Sequence, residues 1–283
     1  MKCNLCDSDD IKNLYNFDTH RIMKCKKCNL IFTDQDSIKI PKESLYGDDY
    51  FIKRPFFEDC KKCYDNKRSK KIENFKRGII LIEKYSKKGK ILDLGCATGV
   101  FLDIAKKRGW DSYGADISKY ACDYAKNNFK LNVKQGELKK IGFPKEKFDV
   151  ITMWDFIEHV EDPTEILEEV RRILKPNGII FILTTNEQSL MCWIANIFYK
   201  IKIKFFARLT HPYHHNYHFS EKTLKEYLRK NGFKIIYKEK DEMPIENIEN
   251  SFIIRFMAKI LYLFSYITNS QHEIILIAEK NDS

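Results

Sequence analysis

Four cysteines near the amino terminus have the spacing of a metal site. Cys3 and Cys6 form one Cys-x-x-Cys pair, and Cys25 and Cys28 form a second pair. Two such pairs about 15–20 residues apart are typical of a zinc ribbon, in which four thiolates surround Zn²⁺ as a tetrahedron. Four thiolates leave no open position on the metal, so we expect a structural zinc ion at these cysteines.

A second stretch, KILDLGCATGVFL at 90–102, predicts a buried strand, a tight turn and then a helix. Asp93 comes at the end of the strand, and Gly95 and Gly99 would let the backbone turn sharply and a ligand approach closely. Asp116 ends the next predicted strand, where a carboxylate can accept hydrogen bonds from both hydroxyls of a ribose. We therefore predict a site for a nucleoside-containing ligand. The order D-x-G-x-A-x-G differs from the G-x-G-x-x-G of dinucleotide sites.

Histidine is concentrated in one segment, THPYHHNYHFS at 210–220. Imidazole changes protonation near neutral pH, so His215 or His218 could take a proton from a substrate. We expect this segment to face the substrate; a second metal site and a purely structural role are the alternatives. Three further candidates for the base follow another apolar stretch: Asp155, Glu158 and His159. For Glu158 a helix-capping role, and for His159 a structural role, are the alternatives.

Alternating strand and helix patterns over 88–185 must position these side chains. Repeated β-α units of this length predict an α/β fold with a doubly wound parallel sheet, and such sheets bind ligands beyond the carboxyl ends of their strands. The predicted strands are at 91–93, 112–115, 132–135, 148–153, 179–184, 233–238 and 274–278. Lys175-Pro-Asn-Gly178 is predicted to be a turn.

Three regions are predicted along the chain: a zinc ribbon at 1–40, a linker with helices at 41–87 and the α/β domain at 88–283. A third cysteine pair, Cys60 and Cys63, lies in the linker, where we expect the thiols to pack in the core. The α/β domain contains two insertions, at 187–219 and 245–270, which combine bulky apolar residues with lysine and arginine. Because they are too charged to cross a bilayer, we expect helical lids that contact anionic lipid or a second copy of the chain.

The composition favours a folded cytoplasmic protein. With 283 residues, 43% of them hydrophobic, the chain can bury a sizeable core, and its nine cysteines indicate metal binding or buried thiols. The amino terminus lacks the apolar core of a signal peptide, and no apolar run reaches the ~20 residues of a membrane span. We expect a cytoplasmic location, peripheral to the inner face of the membrane if the lids touch lipid. The net charge of +10 favours anionic partners, although a solvated lysine-rich surface gives the same sum.

Five sequence blocks resemble, in this order, the motifs of class I S-adenosylmethionine-dependent methyltransferases: ILDLGCATGVFL, YGADIS, VKQGE, FDVITMWDFIEHVEDP and ILKPNGIIFILTTN. The resemblance implies a Rossmann-like sheet of seven strands whose last pair is antiparallel. It also implies S-adenosylmethionine as the cofactor, with Ala97 where the family often has a second glycine. The residues that it places around the cofactor are Asp93, Gly95, Cys96, Ala97, Gly99, Asp116, Ile117, Gly136, Glu137 and Trp154. It puts Asp155 beside Trp154 on the pocket floor.

Three functions are compatible with these features. A four-cysteine module ahead of such a domain is similar to bacterial sugar and surface-polysaccharide methyltransferases, which implies a small-molecule or glycan acceptor. We expect O-methylation of a sugar, because the carboxyl-terminal domain usual in sugar C-methyltransferases is not seen in this sequence. A zinc-ribbon ribosomal RNA methyltransferase is the alternative, disfavoured because TMWDF stands where such enzymes have an Asn-Pro-Pro-Tyr-type tetrapeptide. A non-catalytic scaffold that retains the nucleoside pocket is the third.

Overall fold

The computed structural model describes residues 1–40, 70–242 and 252–281. The cysteine pair Cys60 and Cys63, most of the predicted linker and the start of the second predicted insertion lie outside the described residues. The described strands form two sheets, one of four strands and one of seven. The smaller sheet contains β1 (Ile11–Asn16), β2 (Arg21–Cys25), β3 (Ile31–Asp34) and β9 (Tyr217–His218). The larger sheet contains β4 (Lys90–Leu94), β5 (Asp111–Asp116), β6 (Asn132–Gln135), β7 (Phe148–Trp154), β8 (Leu174–Thr185), β10 (Phe233–Asp241) and β11 (Glu273–Lys280).

The seven strands have the order β10-β11-β8-β7-β4-β5-β6. Strands β4 to β8 pair in parallel with their neighbours, while β11 runs antiparallel to both β8 and β10. The order reverses direction between β4 and β7, so ligands of such a sheet are expected beyond the carboxyl ends of these two strands. The predicted α/β class, with seven strands and a final antiparallel pair, is confirmed.

Helices connect and cover these strands. They are α1 (Lys70–Ile82), α2 (Val100–Lys107), α3 (Lys119–Phe129), α4 (Leu138–Ile141), α5 (Pro163–Ile173), α6 (Leu190–Lys200), α7 (Phe205–Thr210), α8 (Glu221–Lys230) and α9 (Phe252–Thr268). Side-chain caps begin several of them: the Ser118 hydroxyl accepts from Ala121 N, and Asp162 accepts from Thr164 N. The insertion predicted at 187–219 as a helical lid contains two helices, α6 and α7.

Strand β8 explains why the sheet is covered on both faces. Its apolar run places Ile180 and Ile182 in one hydrophobic cluster and Ile179 and Phe181 in another. Alternate residues of a strand point to opposite faces, so each face of the sheet has its own core. Burying Phe181 completely contributes about 1.5–3 kcal/mol to folding.

The turn predicted at Lys175-Pro-Asn-Gly178 is an excursion within β8 rather than a break before it. Leu174 pairs with Phe148, and Ile179 pairs with Val150, so both ends of the excursion remain in the ladder with β7. Residues 175–178 have no partner in β7, so the pairing of β7 with β8 is interrupted there and resumes at Ile179 in a shifted register.

The smaller sheet joins two distant parts of the chain. Strand β3 pairs antiparallel with β9, and Ile31 and Phe32 lie opposite His218 and Tyr217. Strand β9 is part of the histidine-rich segment at 210–220. This segment is therefore built into the amino-terminal sheet, which the sequence pattern did not predict.

Candidate active site

The turn between β4 and α2 is tied to the end of β5 by hydrogen bonds. Gly95 N and Cys96 N donate to Ala115 O at 2.9 and 3.2 Å. Ala97 N donates to the Asp116 side chain, Oδ2, at 2.8 Å. These contacts bring the turn and the second acid to the same edge of the sheet, as the sequence predicted.

The two glycines of this turn are required by backbone conformation and by close contacts within the protein. Gly95 has φ of +68° and Gly99 has φ of +81°, in the left-handed region that glycine adopts without a steric penalty. A Cβ on Gly95 would lie 2.7 Å from the Phe156 ring, and one on Gly99 would lie 2.6 Å from Leu131 Cδ1. Protein side chains thus crowd both positions, and the prediction that these glycines let a ligand approach closely stays a prediction. Ala97 also has a positive φ, +46°.

Asp93 is a buried carboxylate at the end of β4. Only 3% of the residue is exposed, and Thr152 Oγ1 donates to its Oδ1 at 2.6 Å. Burial raises the pKa of Asp93 to about 8, and the nearby charge of Asp116 acts in the same direction. The free protein therefore holds most of its Asp93 carboxyl in the neutral form at pH 7.

Asp116 is oriented by the backbone on both sides. Its Oδ2 accepts from Ala97 N and its Oδ1 from Ser118 N, at 2.8 and 2.9 Å. Burial raises the pKa of Asp116. Each carboxylate oxygen has capacity for a further hydrogen bond, which is what two ribose hydroxyls need. Its predicted ribose role stays a prediction.

The third turn, after β6, also meets Asp116. Gly136 N donates to Asp116 O at 2.9 Å, and Glu137 follows as the residue that begins α4. Ile117 lies beside these turns with 47% of its surface exposed. The residues predicted to hold ribose and adenine thus share one edge of the sheet; their contacts with the cofactor stay predictions.

Trp154 lies in the core between the sheet and α1. Its indole ring is 4.9 Å from the Phe75 ring and 4.6 Å from the Phe181 ring, measured between centroids. Gly78 of α1 is needed beneath it, because a Cβ there would lie 2.3 Å from the indole. The indole is therefore enclosed by aromatic side chains, and its predicted contact with the cofactor stays a prediction.

The segment after β7 carries a buried acid next to two histidines. Asp155 has φ of +47° and begins this segment; desolvation raises its pKa. Glu158 is 1% exposed, and burial raises its pKa to about 8, with Asp155 adding to the effect. Donor atoms of Glu158, His159 and His215 all lie within 4.8 Å of one another. The segment and the histidine-rich loop therefore meet at one cluster.

His215 and His218, the two predicted bases, lie in different surroundings. His215 is half-buried beside Glu158, and its ring centroid is 4.7 Å from that of His159. His218 is 3% exposed in β9, with Nε2 3.5 Å from Thr33 Oγ1 of the amino-terminal sheet. Burial lowers the pKa of both imidazoles well below the ordinary value, so both are neutral at pH 7. His215 is the better placed of the two, because it adjoins the segment that follows β7.

Another buried pair fixes the start of the histidine-rich segment. His211 Nε2 lies 2.7 Å from Glu187 Oε2, and His20 Nε2 lies 2.9 Å from His211 O. Thr33 Oγ1 donates to His215 O at 2.5 Å. The amino-terminal sheet therefore supports this segment. The four-cysteine module and the candidate active site are joined by these hydrogen bonds.

The four amino-terminal cysteines converge as predicted. Cys3 Sγ lies 3.4 Å from Cys28 Sγ, Cys6 Sγ lies 3.6 Å from Cys25 Sγ, and all four sulfur atoms are within 4.8 Å of one another. A zinc tetrahedron with Zn–S of ~2.3 Å has sulfur atoms about 3.8 Å apart. The geometry and the all-thiolate donor set thus fit Zn²⁺, which would hold the ends of β1, β2 and β3 together.

The donor set at the sheet edge fits a cationic nucleoside. Asp93 and Asp116 are buried acids whose charges repel each other, and a cation between the turns would relieve that repulsion. Asp116 supplies two acceptor oxygens for hydroxyls. S-adenosylmethionine, which combines positive charge with a ribose, matches this set.

Sequence reasoning missed two features of the site. The Glu187–His211 pair joins the histidine-rich segment to a glutamate that no recognised motif singles out, and the Glu158 cluster forms only because β9 brings His215 to the segment after β7. The Glu-His dipeptide at 158–159 was a usable signal for part of that cluster. A two-residue strand such as β9 has no periodicity to detect.

The fold and the site define a nucleoside-binding α/β domain of the methyltransferase class. The sequence pattern of the methyltransferase-domain family matches residues 65–238, which is more than half of the chain. The chain therefore belongs to this family.

Curated relatives and solved structures agree with that assignment. The chain is 30% identical over 206 residues to a ubiquinone biosynthesis O-methyltransferase of Pelagibacter ubique, covering 70% of this chain and 82% of the relative. It is 30% identical over 134 residues to the protein of the same name from Histophilus somni, but that match spans only 44% of this chain and 56% of the relative. A SAM-dependent methyltransferase structure from Archaeoglobus fulgidus has the same fold, with a TM-score of 0.54 and 23% identity over 73% of this chain and 92% of the other.

Among the helices of 70–242 and 252–281, none has both the length and the apolarity needed to cross a membrane.

Proposed function

We propose that this chain transfers the methyl group of S-adenosylmethionine to a hydroxyl oxygen of a small molecule. The single observation that carries the proposal is the meeting of the glycine turn, Asp93 and Asp116 at the switch point of a methyltransferase-family sheet. The relatives named as O-methyltransferases favour oxygen as the acceptor atom. When bound, the cofactor supplies a methyl group on a sulfonium, which is already a good leaving group.

The protein's part in this reaction is to bind, align and remove a proton. Asp93 would face the positive end of the cofactor and Asp116 its ribose hydroxyls. Bound S-adenosylmethionine would supply the methyl carbon to the acceptor's oxygen, and its sulfur would keep the electron pair of the broken carbon–sulfur bond. The acceptor's proton leaves to a base, for which His159 and His215 lie at the end of β7.

Calorimetry tests the cofactor site directly. Asp116→Ala should weaken S-adenosylmethionine binding by about 10- to 100-fold, since each hydrogen bond to a charged group contributes about 1.5–3 kcal/mol. Asp123→Ala on α3 is the matched control: Asp123 is a half-exposed acid that pairs with Lys119. Equal affinities for wild type, Asp116→Ala and Asp123→Ala would refute the assigned cofactor site.

The acceptor is tested by transfer of labelled methyl groups into separated fractions of a cell extract. We expect label in phenolic or hydroxylated small molecules; the finer proposal, a sugar hydroxyl, predicts label in the nucleotide-sugar fraction. Label in RNA, with binding that weakens steeply as salt rises, would replace this proposal with the zinc-ribbon RNA methyltransferase. Cofactor binding with no transfer to any fraction would favour a scaffold.

A further inference from the structure

The cluster formed by Glu158, His159 and His215 has the composition of a metal site. Its three donor atoms lie within 4.8 Å of one another, and they come from two separate segments of the chain. One carboxylate and two imidazoles on one side of an ion is a common donor set for divalent transition metals, and it leaves further positions open.

Glu158 needs a positively charged partner. It is 1% exposed, and within the described part of the chain neither carboxylate oxygen has a hydrogen-bond partner. A buried carboxyl without a partner is costly, whether it is charged or neutral. Both oxygens are therefore available to a ligand.

The two histidines have their ring nitrogens arranged for coordination. His159 Nδ1 lies 2.9 Å from His214 O, a contact that makes Nδ1 the protonated nitrogen and gives Nε2 the lone pair. Metal-bound histidines usually have this kind of hydrogen bond on their other nitrogen. His215 Nδ1 is buried and has no hydrogen-bond partner among the described residues.

We propose that Glu158, His159 and His215 bind a divalent transition-metal cation at the end of β7. The cluster is separate from the four-cysteine site in both position and chemistry. Its oxygen and nitrogen donors accept Mn²⁺ or Fe²⁺, whereas four thiolates select zinc. The next step rests on the proposed function: an open position on this cation would bind the acceptor's hydroxyl oxygen. That contact lowers the pKa of the hydroxyl, so its proton leaves to solvent before the oxygen attacks the methyl carbon, and His159 and His215 act as ligands instead of bases.

Electron paramagnetic resonance of Mn²⁺ tests the site without any measurement of methyl transfer. Purified full-length chain carrying one equivalent of zinc, enough for the four cysteines alone, should bind about one further Mn²⁺, and Glu158→Gln or His215→Ala should weaken that binding at least tenfold. Glu161→Gln, a change to an exposed acid three residues along, should leave it unaltered. Thermal melts identify variants that fail to fold. Glu158→Gln and His215→Ala lie in separate segments, and both must weaken Mn²⁺ binding for the site to be supported.

No Mn²⁺ binding by the wild type, or equal binding by wild type, Glu158→Gln and His215→Ala, would overturn the site. Binding with no methyl transfer to any acceptor would instead count against the proposed function and leave the site standing.

A second surface carries an independent inference. Helices α6, α7 and α9 and the connection between α6 and α7 expose large apolar side chains, each 40% to 73% accessible: Trp193, Ile197, Ile201, Ile203, Phe205, Phe206, Leu209, Ile260, Leu263, Phe264, Tyr266 and Ile267. We call this the apolar lid face. Helices α6 and α9 contact each other, so the exposed side chains of the two predicted insertions lie on adjoining helices.

The charged residues within the sequences of the lid helices are all basic. Residues 189–210 contain Lys200, Lys202, Lys204 and Arg208 and no acidic residue, and all four cations are exposed. The sequence of α9 likewise contains no acidic residue. Exposed Trp and aliphatic residues with flanking cations are typical of helices that lie in the interface of an anionic membrane.

We infer that the apolar lid face binds the surface of an anionic lipid bilayer. Each lysine near such a surface contributes about 1 kcal/mol, in addition to burial of the apolar side chains. A second copy of this chain is disfavoured as the occupant because the cations of the two copies would meet.

Flotation with vesicles tests this inference. The wild-type chain should float with vesicles containing phosphatidylglycerol and not with vesicles of phosphatidylcholine alone. Changing Lys200, Lys202 and Lys204 together to Glu should abolish flotation. Changing three exposed lysines outside the face, Lys126, Lys145 and Lys234, alters net charge equally and should preserve flotation. The inference of membrane binding would be overturned if the wild type failed to float or if both triple variants lost flotation equally. It would also be overturned if the chain formed a dimer that the changes at Lys200, Lys202 and Lys204 dissociate.

Discussion

Replacing Asp93 by asparagine should remove a pH dependence from cofactor binding. The wild-type carboxyl has a pKa of about 8 because it is buried and lies near Asp116, whereas the hydrogen bond from Thr152 acts in the opposite direction. A cationic cofactor binds the ionised form more tightly, so binding must release the proton that Asp93 holds in the free protein.

The magnitude follows from that pKa. About one molecule in ten has Asp93 ionised at pH 7, and about one in a hundred at pH 6. Affinity for S-adenosylmethionine should therefore fall about tenfold, or about 1.4 kcal/mol, when the pH is lowered from 7 to 6. Above pH ~7.7 the amino group of the cofactor begins to lose its charge, so the measurement belongs between pH 6 and 7.5.

Calorimetry in two buffers of different ionisation enthalpy measures both the affinity and the protons released. We expect nearly one proton per cofactor at pH 6.5 for the wild type, and neither proton release nor pH dependence for Asp93→Asn. A flat affinity for the wild type between pH 6 and 7.5 would refute the assignment of Asp93 to the positive end of the cofactor.

The same pKa sets a direction for stability. The folded-state pKa lies above the unfolded value of 3.8, so the folded state binds more protons between them. The stability that Asp93 contributes is therefore full below the unfolded pKa and is lost as the pH rises through about 8. Asp93→Asn should gain stability relative to the wild type over that window, measured by urea unfolding.

Three further predictions concern the supporting structure. Ala97→Gly should stabilise the protein by up to about 1 kcal/mol in urea unfolding, because Ala97 has a positive φ that an L side chain disfavours; unchanged stability would contradict this. Phe181→Ala should cost about 3–5 kcal/mol of unfolding free energy because the ring is fully buried against Trp154, whereas the half-exposed Ile80→Ala should cost less than about 1 kcal/mol. Removing zinc with a chelator should increase hydrogen exchange at the Thr33 N–H, which donates to Asn216 O where β3 pairs with β9; unchanged exchange there would show that this pairing does not depend on the metal.

The sheet could be predicted from local pattern. Each βα unit combines an apolar strand, a polar or glycine turn and an amphipathic helix, and these signals lie within a few tens of residues. The positions of Asp93 and Asp116 followed from the same units, because both acids end neighbouring parallel strands.

Long-range contacts could not be predicted in this way. The four-cysteine module was expected as a separate ribbon, but its third strand pairs with Tyr217 and His218 through only two residue pairs. Trp154 illustrates a different limit: its position at the end of β7 suggested the cofactor pocket, and the direction of its ring depends on Gly78 and Phe75 of a helix that precedes the sheet.

The pairing of β3 with β9 has a consequence for how the molecule assembles. The hydrogen bond from Thr33 to His215 joins residues 182 positions apart in the chain. During synthesis one edge of β3 therefore stays unpaired until β9, which follows most of the α/β domain in the chain, has been made. Contacts of such long sequence separation form late because closing a long loop costs entropy before it yields any stabilising contact. We therefore expect the histidine-rich segment beside Glu158 and His159 to take its final position late in folding. It does so by pairing with an edge strand of the four-cysteine module, which can form earlier.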